Sequence, residues 1–165
     1  MRRPIILLLL LAATVFACAQ TQEPRANFTG TWVFDAQKSK LTVPAPTAMT
    51  LHIKQDNEQI SFVRNQTFGD QSFAWKLDGT IGNQQPVEGK GPGYTTATRL
   101  YWQQNGQNGL VVDQKITASD GTKVSDVVTY SMVDNGNSLQ AYESQTTVGG
   151  KGANNNRWIY DRKAQ

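Results

Sequence analysis

The sequence predicts an all-β fold: a single antiparallel up-and-down β-barrel of about ten strands. Beyond residue 27, apolar and polar residues alternate in successive runs, the signature of half-buried strands. Asn, Asp and Gly residues that tolerate positive φ separate these runs, as tight hairpin turns require. No segment beyond the leader shows a helical period. A long meander of this kind closes or forms a sandwich, and one apolar face per strand fits a barrel with a lined interior.

Residues 29–35 set Trp32 and Phe34 on one face. In 48–55, Met49, Leu51 and Ile53 share a face, opposite Thr50, His52 and Lys54. Residues 59–66 align Ile60 and Phe62 with Arg64, and 71–78 align Phe73, Trp75 and Leu77. A weak strand is expected at 80–87, followed by a Thr- and aromatic-rich one at 94–102. Residues 109–117 align Leu110, Val112, Gln114 and Ile116. In 122–133, Val124, Asp126, Val128, Tyr130 and Met132 share parity. Residues 138–147 begin with Leu139, Ala141 and Glu143 on one face, and 156–162 align Trp158, Tyr160 and Arg162. Asp56-Asn57, Asp78-Gly79, Asn105-Gly106, Asp120-Gly121 and Asn135-Gly136 supply the turns.

Strands that reverse at every connection collect alternate connectors at one end. Connectors 37–47, 67–70, 88–93, 118–121 and 148–155 fall at one end; 56–58, 78–79, 103–108 and 134–137 fall at the other. The first set holds the longest connectors, so any ligand is expected to enter there. The same count brings Arg162, at the end of the last strand, beside Trp32 on the first.

Residues 1–19 read as a secretory signal, with basic Arg2-Arg3 before an apolar run from Ile5 to Phe16. Ala17-Cys18-Ala19 allows cleavage after Ala19. Val15-Phe16-Ala17-Cys18 equally resembles a bacterial lipobox, in which Cys18 is lipidated. Residues 20–26 form a polar tether, and 27–163 the barrel domain. The protein is therefore expected to be exported: periplasmic, secreted, or held at the outer membrane through a lipid on Cys18. With Cys18 the only cysteine, the folded domain has no internal disulfide. The whole chain carries 16 Lys+Arg and 13 Asp+Glu; losing Arg2 and Arg3 with the leader leaves a net +1. Without a basic block, nucleic-acid binding has no electrostatic support.

Gly30-Thr31-Trp32 resembles the G-x-W signature on the first strand of the lipocalin and fatty-acid-binding protein superfamily. The ordered set of residues 30–41, Pro44-Ala45-Pro46, 49–55, Thr129-Tyr130-Ser131, Asp134-Asn135-Gly136 and 159–162 is similar to secreted bacterial lipocalin-like proteins. The resemblance implies a calycin-type barrel in which Gly30 bends the chain, Trp32 plugs one end, and Arg162 stacks on Trp32. It does not extend to the carboxylate clamp of the fatty-acid binders. Here Arg157 and Tyr160 are three residues apart and face opposite sides of the strand.

The expected function is binding or carriage of a small, mostly apolar molecule, with no cofactor. The expected lining is Phe62, Arg64, Phe73, Trp75, Gln114, Asp126, Tyr130, Glu143, Trp158 and Tyr160. Arg64 and Gln114 would orient a polar head group or reach solvent. A filled barrel acting as a cell-envelope interaction or inhibitor-type module is the alternative. Asp126 and Glu143 also admit a hydrolase or isomerase, against the plainer reading of polar groups around water or ligand. His52 alternates outward, and no second His or Cys completes a metal site. Intact mass spectrometry of the mature protein decides the fate of Cys18. A diacylglyceryl adduct on Cys18, lost with membrane association in Cys18→Ala, marks a lipoprotein; an unmodified chain starting at Gln20 excludes one.

Overall fold

A computed structural model describes residues 25–104, 108–150 and 152–164. The leader, Cys18, the tether up to residue 24 and the Asn105-Gly106 turn lie outside these residues. Ten antiparallel strands form one sheet: β1 (Gly30–Phe34), β2 (Ala48–Asp56), β3 (Gln59–Phe68), β4 (Gln71–Thr80), β5 (Val87–Gly91), β6 (Tyr94–Trp102), β7 (Leu110–Ala118), β8 (Lys123–Val133), β9 (Ser138–Thr147) and β10 (Asn154–Arg162). Each strand pairs with its sequence neighbour except β4 with β5, and β1 pairs with β10. The sheet therefore curls into a barrel with one unpaired seam.

The fifth strand differs from expectation. Residues 81–86 form a bend and turn, β4 runs through the expected Asp78-Gly79 turn, and the strand itself is Val87–Gly91. Gly79 explains the shift: a Cβ there would collide with Leu100 and press on Val87. The chain thus needs glycine where β4 closes on β5 and β6, not where it turns. The strand count stays even, so the connectors keep their expected ends. Lys40 and Arg157 exchange backbone hydrogen bonds of 2.8 Å, which sets the β1–β2 connector beside the start of β10.

One end is plugged. Trp32, Phe28, Leu51, Ile53, Phe62, Leu100, Leu110 and Leu139 are fully buried there. Trp32 Nε1 donates to the Phe28 carbonyl at 3.0 Å, which satisfies the one polar atom the indole brings into the core. Phe28 stacks on Trp102, and Arg25 lies over the outer part of the same indole. The Arg162 guanidinium sits 4.2 Å from the Trp32 ring centroid, in direct register across β1 and β10. Its Nη1 donates to the Thr29 carbonyl and its Nε to that of Gly136. Gly30 adopts φ +156°, and a Cβ there would come within 2.8 Å of Arg162 Nη1. The glycine of the G-x-W motif makes room for that arginine.

Trp32→Ala empties the plug and is expected to lower stability by about 3–5 kcal/mol, read from urea denaturation midpoints. An unchanged midpoint would place the indole outside the core.

Candidate functional site

Inward positions change character along the barrel axis. Leu110, Tyr130 and Ala141 form one cross-strand row deep in the barrel. Towards the long connectors the next rows run Val112, Val128, Glu143 and Asn156, then Thr98, Gln114, Asp126 and Gln145. Because strand side chains alternate strictly, the polar residues share the apolar residues' parity and must face inward.

These rows enclose a cavity of about 250 Å³, lined by Arg64, Trp75, Tyr94, Val112, Gln114, Ile116, Asp126, Val128, Tyr130, Glu143 and Gln145. Its lining residue Tyr130 of β8 packs against Phe62 of β3, ring centroids 5.2 Å apart. Since β3 and β8 lie five places apart in the ring of strands, these two side chains meet across the barrel. Above that contact, Arg64 occupies one wall and Asp126 with Glu143 the other. The Arg64 guanidinium lies 5.2 Å from the centre of the Trp75 ring. Among the described residues it forms no ion pair.

Glu143 is held firmly. Its Oε2 accepts hydrogen bonds from Asn156 Nδ2 at 2.7 Å and Trp158 Nε1 at 3.0 Å. Asn156, itself buried, uses its Oδ1 to accept from the Thr42 backbone and hydroxyl, tying the β1–β2 connector to the cavity wall. Gln114 donates to the buried Thr98 hydroxyl at 3.0 Å. Asp126 Oδ1 and Arg64 Nε, by contrast, are shielded from solvent without a hydrogen-bond partner. Burial, reinforced by the negative Glu143 and partly offset by Arg64, pushes the Asp126 carboxyl up to about 7. Burial likewise pushes the Tyr130 phenol up to about 12 and raises that of Tyr160 further.

The structure brings Arg64, Trp75, Gln114, Asp126, Tyr130 and Glu143 to one cavity. Phe62 packs against Tyr130 of the lining but does not itself line the cavity, and Trp158 orients Glu143. Tyr160 lies in the core, its hydroxyl 3.9 Å from Met49 Sδ. Phe73 departs from expectation: it has inward parity but is 49% exposed, against Phe68 at the rim. The strand reaches the barrel end before Phe73 can enter the interior, a matter of strand length that parity does not reveal. Tyr94 and Gln145 were missed. Tyr94 folds over Gly91, where a Cβ would strike its ring, and that cross-strand aromatic–glycine pair is a signal the sequence carries. His52 faces outward, 3.0 Å from the Thr31 hydroxyl. Arg157 reaches the Lys38 carbonyl rather than the interior. Among the described residues, no group of three His, Cys, Asp or Glu could hold a metal ion.

A ten-strand barrel with a plugged end and an interior chamber is the fold of the lipocalin and fatty-acid-binding protein barrels. Among solved structures the chain is similar to secretory abundant heat soluble protein 4 from Ramazzottius varieornatus, at 14% identity over 83% of this chain and 95% of that one, TM-score 0.53. It is also similar to human cRBP IV, at 13% identity over 84% of this chain and 99% of that one, TM-score 0.54. At such identities the likeness is one of fold. No protein-family model matches the chain, and no curated protein matches its sequence.

A carboxyl titrating higher in the folded than in the unfolded chain binds more protons when folded between pH 3.8 and about 7. Its contribution to stability therefore falls as pH rises through that window and stays low above it. Asp126→Asn removes the cost of the charge. Its denaturation midpoint is expected to exceed that of the unaltered protein at pH 8, by a margin that shrinks towards pH 4. Equal margins at the two pH values would mean that Asp126 titrates normally.

Proposed function

We propose that this protein binds a small amphipathic molecule inside its barrel and does not transform it. The observation that carries this reading is the chamber itself, where shielded Asp126 Oδ1 and Arg64 Nε have no partner among aromatic and aliphatic walls. Buried polar atoms without partners cost about 1–3 kcal/mol each. A ligand that paired them would recover that free energy as affinity. The expectation of a mostly apolar ligand narrows to one with a polar end, because five of the lining residues are Arg64, Gln114, Asp126, Glu143 and Gln145. A volume of about 250 Å³ lies below the roughly 300–1,000 Å³ of drug-sized pockets, so the molecule is small. As the leader suggests, binding would take place outside the cytoplasm.

The second reading is a filled barrel whose outer surface and loops engage an envelope partner. The solid lower half, from Phe28 and Trp32 to Leu139, favours it. Native mass spectrometry of protein purified from its own host separates the two. A stoichiometric small molecule supports binding. Its absence, together with failure of a polarity-sensitive dye to enter, supports the interaction module. Val128→Phe is expected to fill the chamber and abolish uptake while the β-sheet circular dichroism persists. Full uptake in that variant would place the bound molecule elsewhere.

A further inference from the structure

We propose that the ligand's polar end is a cationic ammonium group seated between Asp126 and Glu143, on a body no larger than a single ring with a short chain. This rests on the binding function above and specifies the chemistry of the same chamber.

Three observations point to a cation. The first is the balance of charge. Facing the chamber are Asp126 from β8, Glu143 from β9 and Arg64 from β3. The other polar lining residues are neutral: Gln114 from β7, Gln145 from β9, Tyr94 from β6 and Tyr130 from β8. With both carboxylates ionised, two negative charges face one positive charge, so the chamber is net negative.

The second is placement. Asp126 is opposite Gln145 and Glu143 is opposite Val128 in the β8–β9 register. The two carboxylates are thus diagonal neighbours, with backbones roughly 7–8 Å apart, a spacing that one ammonium group spans with a hydrogen bond to each. Asp126 Oδ1 is the unpartnered acceptor that such a group would meet. Glu143 is fixed for the role, because Trp158 and Asn156 anchor its Oε2.

The third is the opposite wall. Among the described lining residues Arg64 is the only guanidinium, and its Cζ lies 5.2 Å from the centre of the Trp75 ring. An anionic ligand could reach it only by settling in a chamber that already holds two carboxylates. A cation on an aromatic or aliphatic body meets carboxylates at one end and Val112, Ile116, Val128 and the Tyr130 ring along its length.

Binding of a cation is coupled to a proton. Asp126 must be ionised to accept the ammonium group, so affinity should rise with pH up to the region of its titration and level off above it.

The test is calorimetric titration of the mature protein with phenethylamine, phenethyl alcohol and 3-phenylpropionate, which share a body and differ in the charge of one end. The amine is expected to bind more tightly than the alcohol by about tenfold or more at pH 8.5, and the carboxylate most weakly. Lowering the pH to 5.5 is expected to weaken the amine by about tenfold or more while it stays fully protonated. In Asp126→Asn both the preference and the pH dependence should collapse, with a melting curve to confirm folding. Should that variant unfold, the pH profile of the unaltered protein decides. A carboxylate that binds more tightly than the amine, three equal affinities, or an amine affinity independent of pH would overturn the proposal. If the host-derived ligand proves neutral or anionic, the cation proposal falls and the binding function stands. If nothing enters the chamber, not even the dye, both fall.

Discussion

Closure of β1 onto β10 is the constraint on which the rest of the molecule depends. Only three residue pairs join these strands: Trp32 with Arg162, Val33 with Asp161 and Phe34 with Tyr160. So short a ladder needs help from side chains on both faces. At the plugged end, the exposed Arg162 covers the Trp32 indole and ties Thr29 to the β8–β9 turn through Gly136. Outside, Lys38 bridges Asp35 and Asp161, which draws the exit of β1 onto β10. The outer ion pairs are exposed and contribute little alone. The Arg162 stack rests on a fully buried indole and joins the two residues that face each other in the closing ladder. Without it the sheet would have two more free edges and no enclosed interior.

Closure divides the interior into two parts with different tasks. The lower half is packed with large apolar side chains, each worth about 1.5–3 kcal/mol of transfer free energy. It supplies the stability of a folded domain that has no disulfide. The upper half departs from that pattern, with two carboxylates, a guanidinium and three amides on inward positions. Most are satisfied within the wall, as the network from Thr42 through Asn156 to Glu143 and Trp158 shows. That network has a structural use as well: it pins the β1–β2 connector to the inner wall. Among the described residues lining the chamber, the buried side-chain atoms left without a hydrogen-bond partner are Asp126 Oδ1 and Arg64 Nε.

Strand periodicity made most of this legible. The period-2 pattern located nine of the ten strands to within a few residues and assigned Arg64, Gln114, Asp126 and Glu143 to the interior. The fifth strand was displaced because Gly79 reads as a turn residue in sequence, whereas in three dimensions it admits the Leu100 and Val87 side chains. Period alone also says nothing of depth. Phe73 and Trp75 have the same parity, yet one lies at the rim and the other beneath Arg64. Nor could parity reveal that Phe62 and Tyr130 meet across the barrel, for that contact depends on how the whole ring of strands closes. Sequence thus indicated which residues face inward, and packing decided which of them share a chamber.

The seam between β4 and β5 connects these two levels. At the plugged end it is bridged without strand pairing: the Gly82 amide donates to the Leu100 carbonyl, and Gly79 lets Leu100 and Val87 pack across. Towards the long connectors no ladder joins the two strands, and β5 presents Gly89 and Gly91 where its neighbours present side chains. Tyr94 fills part of that space, and its ring joins the chamber wall. The least substituted strand therefore borders the unpaired part of the seam, close to Arg64 and Trp75. In a barrel whose other walls are continuous ladders, that stretch of the seam and the adjacent rim can separate at the lowest cost in backbone hydrogen bonds. Gly79 displaces the fifth strand from its expected place, and Gly89 and Gly91 on that strand leave the chamber its softest wall.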